Sequence, residues 1–279
     1  MVQRLDVLGN GNAYSESTNM KKIEPIAPVV HDKLTSQIQD FWSRRVNAER
    51  IMGKDVSTHT RGDDKYFADL EAQRYRSHRH LLPWIKALKP GKSVLEVGSG
   101  VGLDTFTLAQ HGMQVTALDL TLVGVSAARN RFTRHQLPGN FSVSDACNLP
   151  IADNSFDYVY SFGVLHHVAE TDKSIHEVFR VLKPGGQARI MLYNRHSLNE
   201  LVHRLVKVPF EDRDELCPVV RRYTVAEVRQ LFKEFAQVEQ KLEYVYGEGY
   251  GKLFDLTPRW LHDLLSRFCG WHIMITATK

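Results

Sequence analysis

The chain has 279 residues, 43% of them hydrophobic and 24% charged, with a net charge of +4. That length suits one α/β core with additions better than two independent domains, and the ordinary composition excludes a disordered or fibrous chain. The small positive charge does not argue for nucleic acid unaided, and no apolar run approaches the roughly 18 residues that cross a bilayer. The three cysteines, Cys147, Cys217 and Cys269, are too scattered for a disulfide framework or a metal site. With no basic-then-apolar stretch at the start of the chain, a cytoplasmic protein without bound metal or membrane span is the default expectation.

In chain order, residues 1–33 mix Asn, Ser, Gly and Lys with little apolar periodicity and read as a loosely ordered arm. Residues 34–90 read as helical. Leu34, Ile38, Phe41, Trp42 and Val46 recur at helical intervals up to Ile51, and a second helix over Asp64 to Leu88 carries Tyr66, Phe67, Leu70, Arg74, Tyr75 and His78, with an interruption expected near Pro83. From residue 91 onward, strands expected at 93–97, 114–119, 141–144, 158–161 and 187–193 alternate with helices at 103–111, 122–136 and 172–182, the signature of βαβ units and a parallel sheet. The rhythm then breaks into an insertion at about 194–236, with a helix near 198–206, an acidic loop, and a helix opening at Thr224 with Glu227 in capping-box position. Strands at 238–245 and 271–278 complete the count as an antiparallel edge pair. The fold expected is a doubly wound, Rossmann-like α/β sheet of seven strands, preceded by a helical lid and carrying an insertion after the fifth strand.

The strongest chemical signal is the run from Val94 to Gly102, a hydrophobic strand entering a glycine-rich turn and then a helix. Gly98, Gly100 and Gly102 let the backbone approach a ligand and expose helix N-terminal amides. About twenty residues on, Asp119 ends a strand where a carboxylate can accept from both hydroxyls of a ribose. Nicotinamide enzymes share that geometry, but the spacing here is Gly-x-Gly-x-Gly, with the acidic Glu96 two residues before the first glycine.

In these features the chain resembles the class I methyltransferases that use S-adenosylmethionine (SAM). The likeness extends through residues 145–150, 154–157 and 181–186, in order and spacing, and is greatest to the small-molecule branch called type 11 or UbiE-like. It implies SAM as cofactor, with Glu96, Gly98, Ser99, Gly100 and Gly102 along its methionine portion. Asp119 and Leu120 would meet the ribose and Asp145 and Ala146 the adenine. Ser161, Phe162 and Gly163 would lie beside the transferable methyl group. Family members also fold an aromatic lid over SAM from the position that Tyr66 and Tyr75 occupy, which would set both residues beside the substrate.

His166 and His167 follow, and a histidine is suited to removing a proton from a nucleophile, although methyl transfer from a sulfonium needs chiefly alignment. Past the fifth strand, Tyr193, Arg195, His196, Arg222 and Tyr223 bring cations and hydrogen-bonding groups to the carboxyl edge of the sheet. This favours a small, anionic acceptor, methylated on O, N, S or C. The rival readings are a tRNA methyltransferase, for which the interspersed acids and bases are a poor match, and a non-catalytic SAM-binding assembly module, against which the intact glycines and Asp119 count. The sequence does not choose the acceptor or the oligomeric state.

Overall fold

A computed structural model describes residues 32–45, 49–51, 54–207, 216–247 and 250–279, so nearly all of the expected N-terminal arm and the acidic loop of the insertion lie outside the described residues. Helix α1 (Lys33–Arg44) begins where the Asp32 carboxylate accepts from the Thr35 N–H at 2.9 Å. It stops at Arg44 rather than near Ile51, because Arg45 leaves helical backbone and Arg50–Ile51 (β1) turns to pair with Lys54–Asp55 (β2). The next expected helix is two, α2 (Asp64–Ser77) and α3 (Leu81–Lys86). The break falls at 78–80, where the His78 Nδ1 lies 3.1 Å from the Arg74 carbonyl, and not at Pro83. Pro83 sits in the first turn of α3, where a missing N–H costs no hydrogen bond.

The core follows in order: β3 (Ser93–Val97), α4 (Leu103–Gln110), β4 (Gln114–Asp119), α5 (Leu122–Arg134), β5 (Asn140–Val143), β6 (Phe156–Phe162), α6 (Thr171–Val181) and β7 (Leu182–Tyr193). After it come α7 (Leu198–Val206), α8 (Val225–Leu231), β8 (Gln237–Glu243), α9 (Lys252–Leu256), α10 (Arg259–Cys269) and β9 (His272–Thr278). The larger sheet has seven strands in the order β5-β4-β3-β6-β7-β9-β8. The first five pair in parallel, and β9 runs antiparallel between β7 and the edge strand β8. The chain moves outward from β3 to β5 and then returns to lay β6 on the other side of β3. That reversal opens a crevice at the carboxyl ends of β3 and β6.

Alternation along the strands divides the core into two layers. Leu95, Val97, Val159, Ile190 and Ile273 pack with Ile175 and Val178 of α6 and Val228 of α8. Val94, Tyr158, Tyr160 and Met191 face Leu81 and Ile85 of α3, Phe106 of α4 and Phe132 of α5. Helix α8 opens with the expected capping box: Glu227 N–H donates to the Thr224 hydroxyl at 3.2 Å, and Thr224 N–H to the Glu227 carboxylate at 2.7 Å. The departure from expectation is at residues 244–271, where a second excursion carrying α9 and α10 separates the last two strands.

Gly102 fixes the angle between the glycine turn and α4. Its φ is +80°, and a Cβ there would lie 2.6 Å from the Ala128 Cβ of α5. Gly102→Ala therefore combines left-handed strain with a clash, and a loss of about 2 kcal/mol is expected in urea unfolding. An unchanged midpoint would show that α4 and α5 can separate at no cost.

Candidate functional site

The crevice deepens into a cleft of about 1130 Å³, open mouth included, a volume that suits a ligand larger than a simple metabolite. Its floor is the turn after β3. The Gly98 and Ser99 N–H groups both donate to the Leu118 carbonyl, at 2.7 and 3.0 Å, so the turn is tied to the end of β4. Gly98 has φ +78°, and a Cβ on it would fall 2.3 Å from a Val164 methyl. Only glycine allows the loop after β6 to come this close. The Ser99 Oγ is buried in the cleft wall without a hydrogen-bond partner.

Asp119 closes the far side of the floor. One carboxylate oxygen accepts from the Gly100 N–H at 2.7 Å, and the other from the Thr121 N–H and hydroxyl at 2.8 and 2.7 Å. Burial raises its carboxyl above the ordinary range, against those three donors. Asp145 and Ala146 line the same side, where the Asp145 carboxylate also accepts from the Cys147 N–H at 2.9 Å.

Glu96 projects from β3 into the cleft and accepts from the Thr105 hydroxyl. Burial, reinforced by the charge of Asp104, pushes its carboxyl well above the usual range. Asp104, buried just as deeply, has the opposite fate: despite burial, the Arg74 guanidinium keeps its carboxyl below the usual range. Arg74 grips it with two hydrogen bonds of 2.7 and 2.5 Å, and the Tyr160 and Tyr75 hydroxyls add bonds of 2.7 and 3.1 Å. Arg74 also lines the cleft, 5.0 Å from the Phe162 ring centroid. Opposite stands α1, whose Thr35, Ile38 and Trp42 form a wall. Gln39 anchors that wall to the Leu120 carbonyl at 2.8 Å, and the Trp42 ring meets His167 edge-on at 5.0 Å.

Of the residues expected along the cofactor, Glu96, Gly98, Ser99, Gly100, Asp119, Leu120, Asp145, Ala146, Phe162 and Gly163 line the cleft. Gly102 and Ser161 stand behind it. Gly102 shapes the helix start, and the buried Ser161 hydroxyl donates to the Val97 carbonyl at 2.8 Å. Of the two histidines expected near the reacting atoms, the cleft is lined by His167 and not by His166. His166 is 0% exposed and lies 3.8 Å from the Tyr193 ring, away from the cleft. His167 lines the cleft, with its Nδ1 2.7 Å from the Val219 carbonyl. A carbonyl only accepts, so Nδ1 carries the proton and Nε2 is the basic nitrogen.

The residues expected around the substrate are elsewhere. Tyr66 packs on Val101, Leu103 and Ala127 outside the cleft and donates to Glu49 at 2.5 Å. Tyr75 is turned toward Thr107, at 2.6 Å. Tyr193 is clamped between His166 and Trp271. Arg195 pairs with Glu227 at 3.1 Å, Arg222 with Glu200 at 3.2 Å, and Tyr223 donates to Thr171 at 2.9 Å. His196 is exposed. Arg195, Arg222 and Tyr223 border a separate surface depression, because Arg221 is inserted between them and the cleft, donating to the Val168 and Ala169 carbonyls. Sequence reasoning missed Asp104 and the cleft-lining role of Arg74. An acid in the first turn of a helix reads as a dipole partner, and nothing local ties it to an arginine thirty residues earlier.

Behind Phe162 lies a stack of His78, His272 and Tyr244, with ring centroids 4.5–5.4 Å apart. His80 lies 3.2 Å, nitrogen to nitrogen, from His272. Burial depresses the pKa of each: His78 is pushed down to about 4, and His80, His272 and His166 well below the usual value. The unfolded chain protonates these groups first, near pH 6.5, so their contribution is complete above that value and declines as pH falls. Each ring adds to that loss, by about 1 kcal/mol at one pH unit below it. Urea midpoints are expected to drop steeply between pH 7.5 and 5.5; a flat profile would mean that these rings protonate in place.

The family profile described as a methyltransferase domain matches residues 95–190. A ubiquinone/menaquinone biosynthesis C-methyltransferase, UbiE of Cereibacter sphaeroides, is 27% identical over 78% of this chain and 90% of its own length. The sterol 24-C-methyltransferase erg6 of Schizosaccharomyces pombe is 26% identical over 78% of this chain and 56% of its own. The chain spans between 25% and 56% of the first three curated relatives it matches. Among solved structures, a SAM-dependent methyltransferase of Thermotoga maritima, described as a possible histamine N-methyltransferase, aligns with a TM-score of 0.55 at 19% identity, over 87% of this chain and 99% of that one, a likeness of fold.

Proposed function

Because this chain belongs to the class I SAM-dependent methyltransferases, we propose that its cleft holds SAM and that the protein methylates a small molecule with a largely apolar body. The observation that carries the proposal is the glycine turn facing a strand-end carboxylate beneath the wall made by α1. The residues suit the cofactor. Ser99 offers a buried hydroxyl with no partner, nothing lies within 4 Å of where a Cβ on Gly100 would stand, and one Asp119 oxygen has accepted only a single donor. In this reading Asp119 binds the ribose and the stretch at Asp145 and Ala146 the adenine. Glu96 and Arg74 receive the ammonium and carboxylate ends of the methionine portion. Bound SAM supplies an electrophilic methyl group on a sulfonium.

The chain's own residues do the rest. Trp42, Ile38, Phe162 and Val164 exclude water, which strengthens the electrostatics inside the cleft. His167 orients an acceptor hydroxyl, thiol or amine, or removes its proton, through Nε2. An anionic acceptor loses its support, since Arg195 and Arg222 are both paired with glutamates outside the cleft.

The test is to incubate the protein with cell extract and isotopically methyl-labelled SAM. Label should enter a small molecule; label in RNA alone, or nowhere, would overturn the reading. Asp119→Ala is expected to weaken S-adenosylhomocysteine binding by about 1.5–3 kcal/mol in calorimetry, since a charged acceptor is lost. With the acceptor identified, His167→Ala should lower kcat by about 10²-fold without changing donor affinity. An undiminished kcat would leave alignment as the sole contribution of the protein.

A further inference from the structure

Helix α10 is built inside out. The side that meets the protein carries His262 and Ser266, both buried, with Leu265 and Cys269 partly buried against Val245, Tyr246 and Phe254. The buried polar groups are satisfied: His262 Nε2 lies 2.9 Å from the Tyr246 carbonyl, and Ser266 Oγ accepts from the Val245 N–H at 3.0 Å. Its large apolar side chains point the other way. Trp260, Leu264 and Phe268, spaced four residues apart on one stripe, are 68%, 42% and 76% exposed. Leu253 and Leu256 of α9 are exposed just before the stripe, as are Leu201, Leu205 and Val206 of α7, a helix that reaches the same cluster through Leu198. Single exposed leucines need no explanation, but an organised stripe rimmed by charge marks an interaction surface.

The rim identifies the partner. Arg267 and Arg259 lie along one flank of the α10 stripe, with Lys252 on α9 and Arg204 and Lys207 on α7, all exposed. The neighbouring acids are engaged, Asp255 with Arg76 at 2.7 Å and Asp263 with Arg259 at 3.7 Å. No helix among the described residues is long and apolar enough to cross a membrane, so such a stripe lies along a bilayer rather than through it. We propose that the α9–α10 face, with α7 beside it, is a docking surface for an anionic phospholipid bilayer. Trp260, Leu264 and Phe268 would enter the interface while the arginines meet lipid phosphates.

Co-sedimentation of the full chain with vesicles tests this. Partition is expected onto mixed phosphatidylcholine–phosphatidylglycerol vesicles, weaker at high salt and weaker onto phosphatidylcholine alone. Trp260→Glu with Phe268→Glu should reduce partition by at least about ten-fold, and Arg204→Gln and Arg267→Gln by about five-fold each. The substituted side chains are exposed, so circular dichroism and urea midpoints should match the parent. Absence of partition by the parent protein would overturn the proposal. So would sedimentation velocity showing a dimer that Trp260→Glu with Phe268→Glu converts to monomer, since the stripe would then be a contact between copies.

Discussion

The donor side of the cleft depends on one buried ion pair, Arg74 with Asp104. Taking both charges out of water is expensive, and the cost is recovered only because the two-pronged contact is joined by the Tyr75 and Tyr160 hydroxyls, leaving no lone pair of Asp104 idle. The pair joins α2 to α4, and through Tyr160 it reaches the central strand β6. Its negative member adds to burial in raising the carboxyl of Glu96, while its positive member rests against Phe162. An N-terminal helix is thereby made part of a site whose floor is the turn after β3 and the carboxyl end of β4.

Much of this was legible in the sequence where the determinants are local. Strand β4 occupies the expected residues, the turn from Gly98 to Gly102 lies where a strand gives way to a helix, and Thr224 with Glu227 caps α8, because each depends on neighbours within a few residues. The acceptor side was legible only as a list of suitable side chains. Arg195 and Arg222 stand at the correct edge of the sheet, yet the insertion of Arg221 onto the loop after β6 turns them outward, a tertiary event that spacing does not record. His166 and His167 are alike as letters; the path of that loop decides which of them sees the cleft. The excursion at 244–271 was hidden because α10 turns His262 and Ser266 toward the protein and Trp260, Leu264 and Phe268 outward, the reverse of the pattern that announces a helix packed on a core.

The two ends of the sheet thus serve different purposes. The parallel strands, buried on both faces, hold the floor of the cleft rigid. The antiparallel pair β9 and β8 carries an excursion whose helices project large apolar groups away from the core. Between the two ends sit His78, His80 and His272 behind Phe162, which couple the packing of this junction to acidity without any of the three rings lining the cleft.

The contact between Gly98 and Val164 has an evolutionary reading. The loop that would carry the acceptor and the turn that would carry the donor touch where no side chain can be inserted, so neither can drift without displacing the other. Thr35, Ile38 and Trp42 of α1, and Val168 and Ala169 on the outer part of the loop after β6, border the cleft without bearing on that contact. Divergence among duplicates of such a protein would therefore be concentrated in one wall of the cleft, and new acceptors would be acquired by repapering that wall while the floor is inherited intact.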